Sequence, residues 1–270
     1  MKLQSPHKFR ERLLIVGGGG AGKTTCVLSV AQALSVGHMF VVDNDYSAAY
    51  TRALATDFED AADMVTVAWC DPSWQSYIEA VEKIVEKHND EDNWLVLDSI
   101  SPSWDAVQEW YGDLVYGNNL GGVMADLRAG AANQGDYMKQ LTEVMNWPAV
   151  KKEYARLYRA LQRWHGHVIL TAEAKSIQNE RDQDLKAIYG PVGYKPAGEG
   201  RLHHVTSTTL FVKKQQVGVR SAWKFTTIKD RNRDEVENAP IEAIDEGGFA
   251  DSYLREVAGW RPVRPAKAKG

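Results

Sequence analysis

The sequence predicts an α/β fold: a mainly parallel central sheet flanked by helices, with a C-terminal antiparallel hairpin. Three observations predict it. An apolar, β-branched run, Leu13-Leu14-Ile15-Val16, opens onto the glycine-rich Gly17-Gly18-Gly19-Gly20-Ala21-Gly22-Lys23-Thr24-Thr25, and a helical pattern follows (Cys26, Val27, Val30, Ala31, Leu34). Further apolar runs then alternate with helix-period stretches, the pattern of a parallel sheet covered on both faces. One of those runs, Trp94-Leu95-Val96-Leu97, ends in an acid, Asp98.

In chain order, strands are expected at residues 13–16, 39–43, 64–69, 94–98, 167–171, 208–213 and 223–228, and helices at 23–35, 72–88, 103–111 and 148–164. The last two strands flank Gln215-Gln216-Val217-Gly218-Val219 and read as a hairpin on the sheet edge. Pro148 suits a helix start. Behind it Val150, Tyr154, Leu157, Tyr158, Leu161 and Trp164 make an apolar stripe that belongs to the core. Trp104, Val107, Trp110, Tyr111 and Leu114 share that spacing and read as core or subunit contact rather than as base-stacking rings. Residues 112–135, rich in glycine and asparagine, read as a loop holding one short helix. Residues 173–204 read as a functional loop, because long loops in compact domains usually carry function. The core is expected to span residues 1–240, with 241–270 as a C-terminal extension ending in a basic tail.

At 270 residues, 44% hydrophobic and 25% charged, the chain has the composition of a soluble globular domain. No apolar run approaches the ~20 residues that span a bilayer, so no membrane partner is expected. The N-terminus lacks the apolar stretch of a secretory signal. Cys26 and Cys70, without C-x-x-C spacing, argue against a zinc site or a disulfide framework. The expected compartment is a reducing cytoplasm. The net charge of −4 hides an asymmetry: residues 40–113 carry 17 acidic and 3 basic side chains, and residues 195–233 carry 9 basic and 2 acidic. Such a split suits a polyanionic partner, a neighbouring copy of the same chain, or simply a solvated charged face.

The pattern G-x-x-x-x-G-K-T between a strand and a helix is a phosphate-binding P-loop. Glycines let successive backbone N–H groups turn inward around a polyphosphate, and the helix behind them points its positive end at the same anion. Gly17, Gly18, Gly19, Gly20, Ala21, Gly22 and Thr25 form the cradle. Lys23 reaches the β- and γ-phosphates, and the Thr24 hydroxyl ligates Mg²⁺. Asp98 has the form of a Walker B acid, holding Mg²⁺ through water opposite Thr24; the plain alternative is helix capping by Asp98 or Ser101. The expected ligands are ATP and Mg²⁺.

A P-loop helix, then Met39-Phe40-Val41-Val42-Asp43-Asn44-Asp45, then a Walker B strand running into Asp98-Ser99 resembles the RecA-like recombinase and ring-helicase ATPases. The resemblance covers residues 13–233, and in size the nearest match is to small phage-encoded RecA-like ATPases of the recombination and annealing type. It implies that Asp45 polarises the attacking water, with Asp43 as the rival; a turn-forming Asp-Asn-Asp is the plain alternative. It implies a γ-phosphate sensor at the end of residues 167–171, for which Thr171 and Glu173 are available, and adenine stacking by Tyr46, Tyr50 or Arg52. The run Lys229-Asp230-Arg231-Asn232 looks like the trans-acting finger of RecA-type ring helicases, in which a Lys and an Arg reach a neighbour's γ-phosphate. An Arg fork there offsets charge developing in the transition state.

The segment after Thr171 carries Lys175, Arg181, Lys186, Lys195 and Arg201 with Tyr189 and Tyr194, a mixture of charge and rings that suits single-stranded DNA. The expectation is a DNA-dependent ATPase of recombination, annealing or repair that assembles head-to-tail. A heterologous interface closes into a hexameric ring or propagates as a helical filament. A ring helicase or translocase is the alternative. A P-loop kinase or GTP switch is the third reading, weakened by the absence of N-K-x-D and of an Arg-rich lid.

Overall fold

Residues Leu13 to Val16, Met39 to Val42, Trp94 to Leu97 and Val168 to Leu170 are apolar and buried at every position, the mark of strands covered on both faces. The computed structural model describes residues 3–4, 10–44, 48–117, 119–144, 146–178, 182–217, 220–233, 240–243 and 248–262. Its strands are β1 (Leu3–Gln4), β2 (Arg12–Gly17), β3 (Met39–Asp43), β4 (Val65–Trp69), β5 (Trp94–Asp98), β6 (His167–Ser176), β7 (Tyr194–Pro196), β8 (Thr208–Val217), β9 (Arg220–Asp230), β10 (Pro240–Ala243) and β11 (Arg261–Pro262). The main sheet runs β10-β9-β8-β2-β6-β5-β3-β4. The pairings from β8 across to β4 are parallel, and β9 and β10 are antiparallel additions. The fold is thus α/β with a mostly parallel sheet, and the expected hairpin is β8–β9. It is not the edge, because β10 pairs outside it.

Alternate residues of each strand feed two cores. Leu13, Ile15, Met39, Val41, Trp94 and Val96 pack under α1 (Lys23–Ala33). Leu14, Val16, Phe40, Val42, Leu95 and Leu97 face α3 (Trp74–Lys87), α4 (Ser101–Tyr116) and α7 (Trp147–Arg163). Between α1 and α3 lies the short α2 (Ala49–Thr56). Past residue 240, Phe249, Ala250, Tyr253, Leu254 and Trp260 are buried in the α1-side core, and the Ala250 N–H donates to Ser29 Oγ at 3.2 Å.

Residues 112–135 are helical rather than a loop. The first helix, α4, continues to Tyr116 and stops at Gly117 in the left-handed region, φ +62°. Then come α5 (Leu120–Gly130) and α6 (Gln134–Val144). Asn119 is an N-cap, its Oδ1 accepting from the Gly122 N–H at 2.6 Å, and Gly112 lets Leu120 pack close, since a Cβ there would stand 3.1 Å from the Leu120 Cβ. Residues 173–204 are also structured: β6 runs on to Ser176, and α8 (Gln183–Tyr189), β7 and α9 (Leu202–Val205) follow.

Two buried polar groups brace the end of the sheet where β2 and β6 begin. Arg233 (7% exposed) bridges Glu11 at 2.6 Å and Asp230 at 2.9 Å, and its Nη1 also donates to the Tyr253 hydroxyl at 3.1 Å. Burial pushes the Glu11 carboxyl up while the Arg233 guanidinium opposes it. His167 stacks on Trp94 at 4.5 Å, and its Nδ1 accepts from the Glu11 N–H at 3.0 Å. Burial, then the charges of Arg10 and Arg12, lower its pKa to about 4.

Candidate active site

Parallel strands deliver their C-terminal ends to one edge of a sheet, where ligands bind. Gly17, Asp43, Asp98 and Glu173 reach that edge together, with Gly17 level with Glu173 and Asp43 level with Asp98. The strand β6 lies between the P-loop strand β2 and the Walker B strand β5.

From Gly18 to Gly22 the chain turns back on itself. Gly20 and Gly22 adopt φ +70° and +92°, which a side chain would strain, and nothing stands within 4 Å of where a Cβ would be at Gly18, Gly19 or Gly20. Gly22 is the N-cap of α1 and supplies no side-chain cap, so the first amides of α1 remain available to an anion. Ala21 is buried and Thr25 exposed. The Lys23 ammonium donates to the carbonyls of Gly17 at 2.9 Å and Gly18 at 3.1 Å, which holds it across the mouth of the cradle.

The buried Asp98 carboxylate collects three hydroxyls. Thr171 donates to Oδ1 at 2.5 Å, and Tyr50 at 2.7 Å and Thr24 at 3.2 Å donate to Oδ2. Tyr50 is one of the three residues, with Tyr46 and Arg52, that the resemblance offers for adenine stacking. It is 1% exposed, turned inward from α2, so its ring cannot stack on a base and its hydroxyl instead orients the Walker B acid. Asp43 is buried beside Asp98 at the end of β3. Asp45 and Tyr46 lie outside the described residues.

A family model described as an AAA domain matches residues 10–220. The chain belongs to the AAA domain family. It carries a P-loop ATPase domain of that type. A search of curated proteins found no match.

The open glycine cradle of this AAA domain, and a hydroxyl and a carboxylate side by side, fit a nucleoside triphosphate with Mg²⁺. Among the described residues no three His, Cys, Asp or Glu side chains are grouped to hold a metal. Thr24 and Asp98 are the residues that would hold Mg²⁺, and bound there the ion neutralises phosphate charge. Lys23 and the α1 amides are the groups that would bind and orient the phosphates, and Thr171 and Tyr50 fix the direction in which Asp98 presents its oxygens.

Other predicted residues of the AAA domain are spread more widely. Glu173 is exposed at the sheet edge, its N–H donating to Ser101 Oγ at 2.8 Å and its carbonyl accepting from the Ala197 N–H at 2.8 Å. Arg52 is exposed on α2. Lys175 and Lys195 are directly opposite each other in the β6–β7 hairpin, with Tyr194, 50% exposed, opposite Ser176. Lys186 is exposed on α8, and Arg201, paired with Glu199 at 3.0 Å, lines an open cleft of about 740 Å³ of mixed charge with Lys151, His203, His204, Asp182 and Asp184. Tyr189 is 1% exposed and packs its ring on Phe211 and His203, so it is a core residue with no face for a base. Arg181 lies outside the described residues.

Lys229 and Arg231 sit at the other end of the sheet. The Arg231 N–H donates to the Ser207 carbonyl and the Ser207 N–H to the Arg12 carbonyl, which places Arg231 level with Arg12. Five residues of β2, roughly 17 Å at ~3.3 Å each, separate that level from Gly17. Lys229 donates to the carbonyls of His203 and, at 2.9 Å, Thr206, and Arg231 Nη1 to that of His204 at 3.4 Å. Neither reaches the P-loop of its own chain.

Proposed function

We propose that this AAA domain is a RecA-like ATPase whose turnover is coupled to single-stranded DNA, working in recombination or annealing as a head-to-tail oligomer. One observation carries the DNA reading. The strand whose Thr171 bonds Asp98 continues out of the sheet, pairs with β7 and there holds Lys175 opposite Lys195, with the exposed Tyr194 in the next pair, on the other face of the ribbon. Two ammonium groups side by side on one face of a strand pair offer neighbouring contacts to a phosphate backbone. The exposed Tyr194 ring, on the other face of the ribbon, supplies a sequence-tolerant stacking surface to a strand that wraps its tip. Lys186 is exposed on α8 and Arg181 belongs to the same segment, whereas Arg201 is paired with the buried Glu199 at 3.0 Å.

Fluorescence anisotropy with a labelled oligothymidylate, together with ATP turnover with and without it, tests the reading. Binding is expected to weaken steeply from about 50 to about 200 mM salt, and DNA is expected to raise turnover. A Lys175→Ala/Lys195→Ala pair is expected to flatten the salt dependence. Absence of binding at low salt, with turnover indifferent to DNA, overturns the proposal.

The position of Lys229 and Arg231 favours action in trans. They are remote from their own P-loop, and a head-to-tail neighbour is the one geometry that brings such an edge to a γ-phosphate. In that reading Lys229 and Arg231 leave the carbonyls of α9 on assembly, Glu173 monitors the γ-phosphate from the β6 edge, and Asp45 polarises water. Mixing Lys23→Ala subunits with Arg231→Ala subunits is expected to restore part of the turnover that each lacks alone. Additive, unrestored rates refute it. Closed rings unwinding a forked duplex would mark the helicase alternative, and filaments that promote pairing the recombinase.

A further inference from the structure

We infer that Trp223 and Lys214, on the β8–β9 hairpin, form the wall against which the nucleoside half of the bound nucleotide rests. The inference builds on the reading of the P-loop as an ATP site. The γ-phosphate end of that site is fixed by Thr24, Asp98 and Thr171, the last two supplied by β5 and β6 on one flank of β2. The nucleoside therefore leaves the cradle on the opposite flank, which belongs to β8 and β9.

There the hairpin outruns the P-loop strand. The β2–β8 pairing ends at Val16 opposite Phe211, while β8 continues to Val217 and pairs Lys214 with Trp223 of β9. The Trp223 indole lies directly on Gly22: a Cβ at Gly22 would stand 2.9 Å from its Cδ1 and closer still to its Nε1. That indole N–H is buried and makes no hydrogen bond to the described residues. The exposed Lys214 ammonium stands 5.7 Å from the centre of the ring. A cation held over an aromatic face, beside the last glycine of a phosphate cradle, matches the junction between the α-phosphate and the sugar and base of a nucleotide. Tyr50, which the sequence offered for the base, is on the wrong flank for that task, bonded to Asp98.

Competition against a fluorescent ATP analogue, with Mg²⁺ present, tests the assignment using two displacers: ATP, and inorganic pyrophosphate, which fills only the cradle. Lys214→Met and Trp223→Leu are each expected to weaken ATP about 5- to 20-fold and to leave pyrophosphate within about twofold. Lys214→Met guards against misfolding, since it alters an exposed side chain and keeps its stem. If both variants bind ATP like the wild type, or if Lys214→Met weakens pyrophosphate as much as ATP, the wall is refuted. A wild type displaced by neither compound refutes the ATP reading itself, and the wall with it.

Discussion

Replacing Tyr50 by Phe removes one oxygen and separates two roles for the same ring. The hydroxyl donates to Asp98 Oδ2 at 2.7 Å in a buried setting, and Oδ2 otherwise has Thr24 at 3.2 Å. A hydrogen bond to a charged acceptor contributes about 1.5–3 kcal/mol. Because Thr24 and Thr171 remain, the loss belongs at the lower end, about 1.5–2 kcal/mol. In a domain of this size that lowers Tm by roughly 3–8 °C. Were the Thr24 hydroxyl to turn toward a bound Mg²⁺, the variant would leave Asp98 less firmly aimed. The Mg²⁺ concentration that half-saturates turnover is then expected to rise by up to about tenfold. Thermal unfolding and a Mg²⁺ titration of ATP hydrolysis read the two effects. A stacking role predicts the reverse pattern, with Phe neutral and Ala harmful. Should Tyr50→Phe leave both Tm and the Mg²⁺ midpoint unmoved, the argument that Tyr50 orients Asp98 is wrong.

Arg233→Met strands Glu11 and Asp230 in the interior and is expected to cost about 3–5 kcal/mol, read as a shift of the urea midpoint; a loss under about 1 kcal/mol refutes the network as described. The folded pKa of His167, about 4, lies below its ordinary 6.5, so its contribution to stability is complete above pH 6.5 and is lost as pH falls toward 4. Between pH 7.5 and 5 wild type is expected to lose about 2 kcal/mol more than His167→Asn, and parallel pH profiles would contradict this. Gly22→Ala forces a side chain into φ +92° and against Trp223, and is expected to abolish nucleotide binding while the circular dichroism of the sheet survives; retained binding would show that the cradle relaxes.

The parts of the fold visible in the sequence are those fixed by local chemistry. Residues 39–43 and 94–98 are strands at the limits their apolar runs suggest, because a strand buried on both faces leaves no polar position to blur its ends. The P-loop was legible for the same reason, since its geometry needs glycines and a lysine in one unbroken stretch. The pairs that shape the site were not. Tyr50 meets Asp98 across 48 residues, and Thr171 meets it across 73. No periodicity in either segment announces such a contact. Gly112 and Asn119 misled in another way. Both are turn-forming residues in isolation, yet here one permits a close helix crossing and the other caps α5. Tyr189 was misread because the charges around it masked a ring that the fold turns inward.

The place of β6 has one more consequence. It is the strand hydrogen-bonded to both β2 and β5, and it runs unbroken for ten residues, from His167 beside Trp94 to Ser176 beyond the sheet. Its bracing changes along that length: Val168 to Leu170 are bonded to both β2 and β5, Thr171 to Glu173 to β2 alone, and Ala174 to Ser176 to β7. Thr171 and Lys175 are four residues apart on one continuous strand, roughly 13 Å at ~3.3 Å per residue, and the change of partner falls between them. A displacement of Asp98 that travels along this strand to Lys175 has to cross the point, between Glu173 and Ala174, where β7 replaces β2 as its partner.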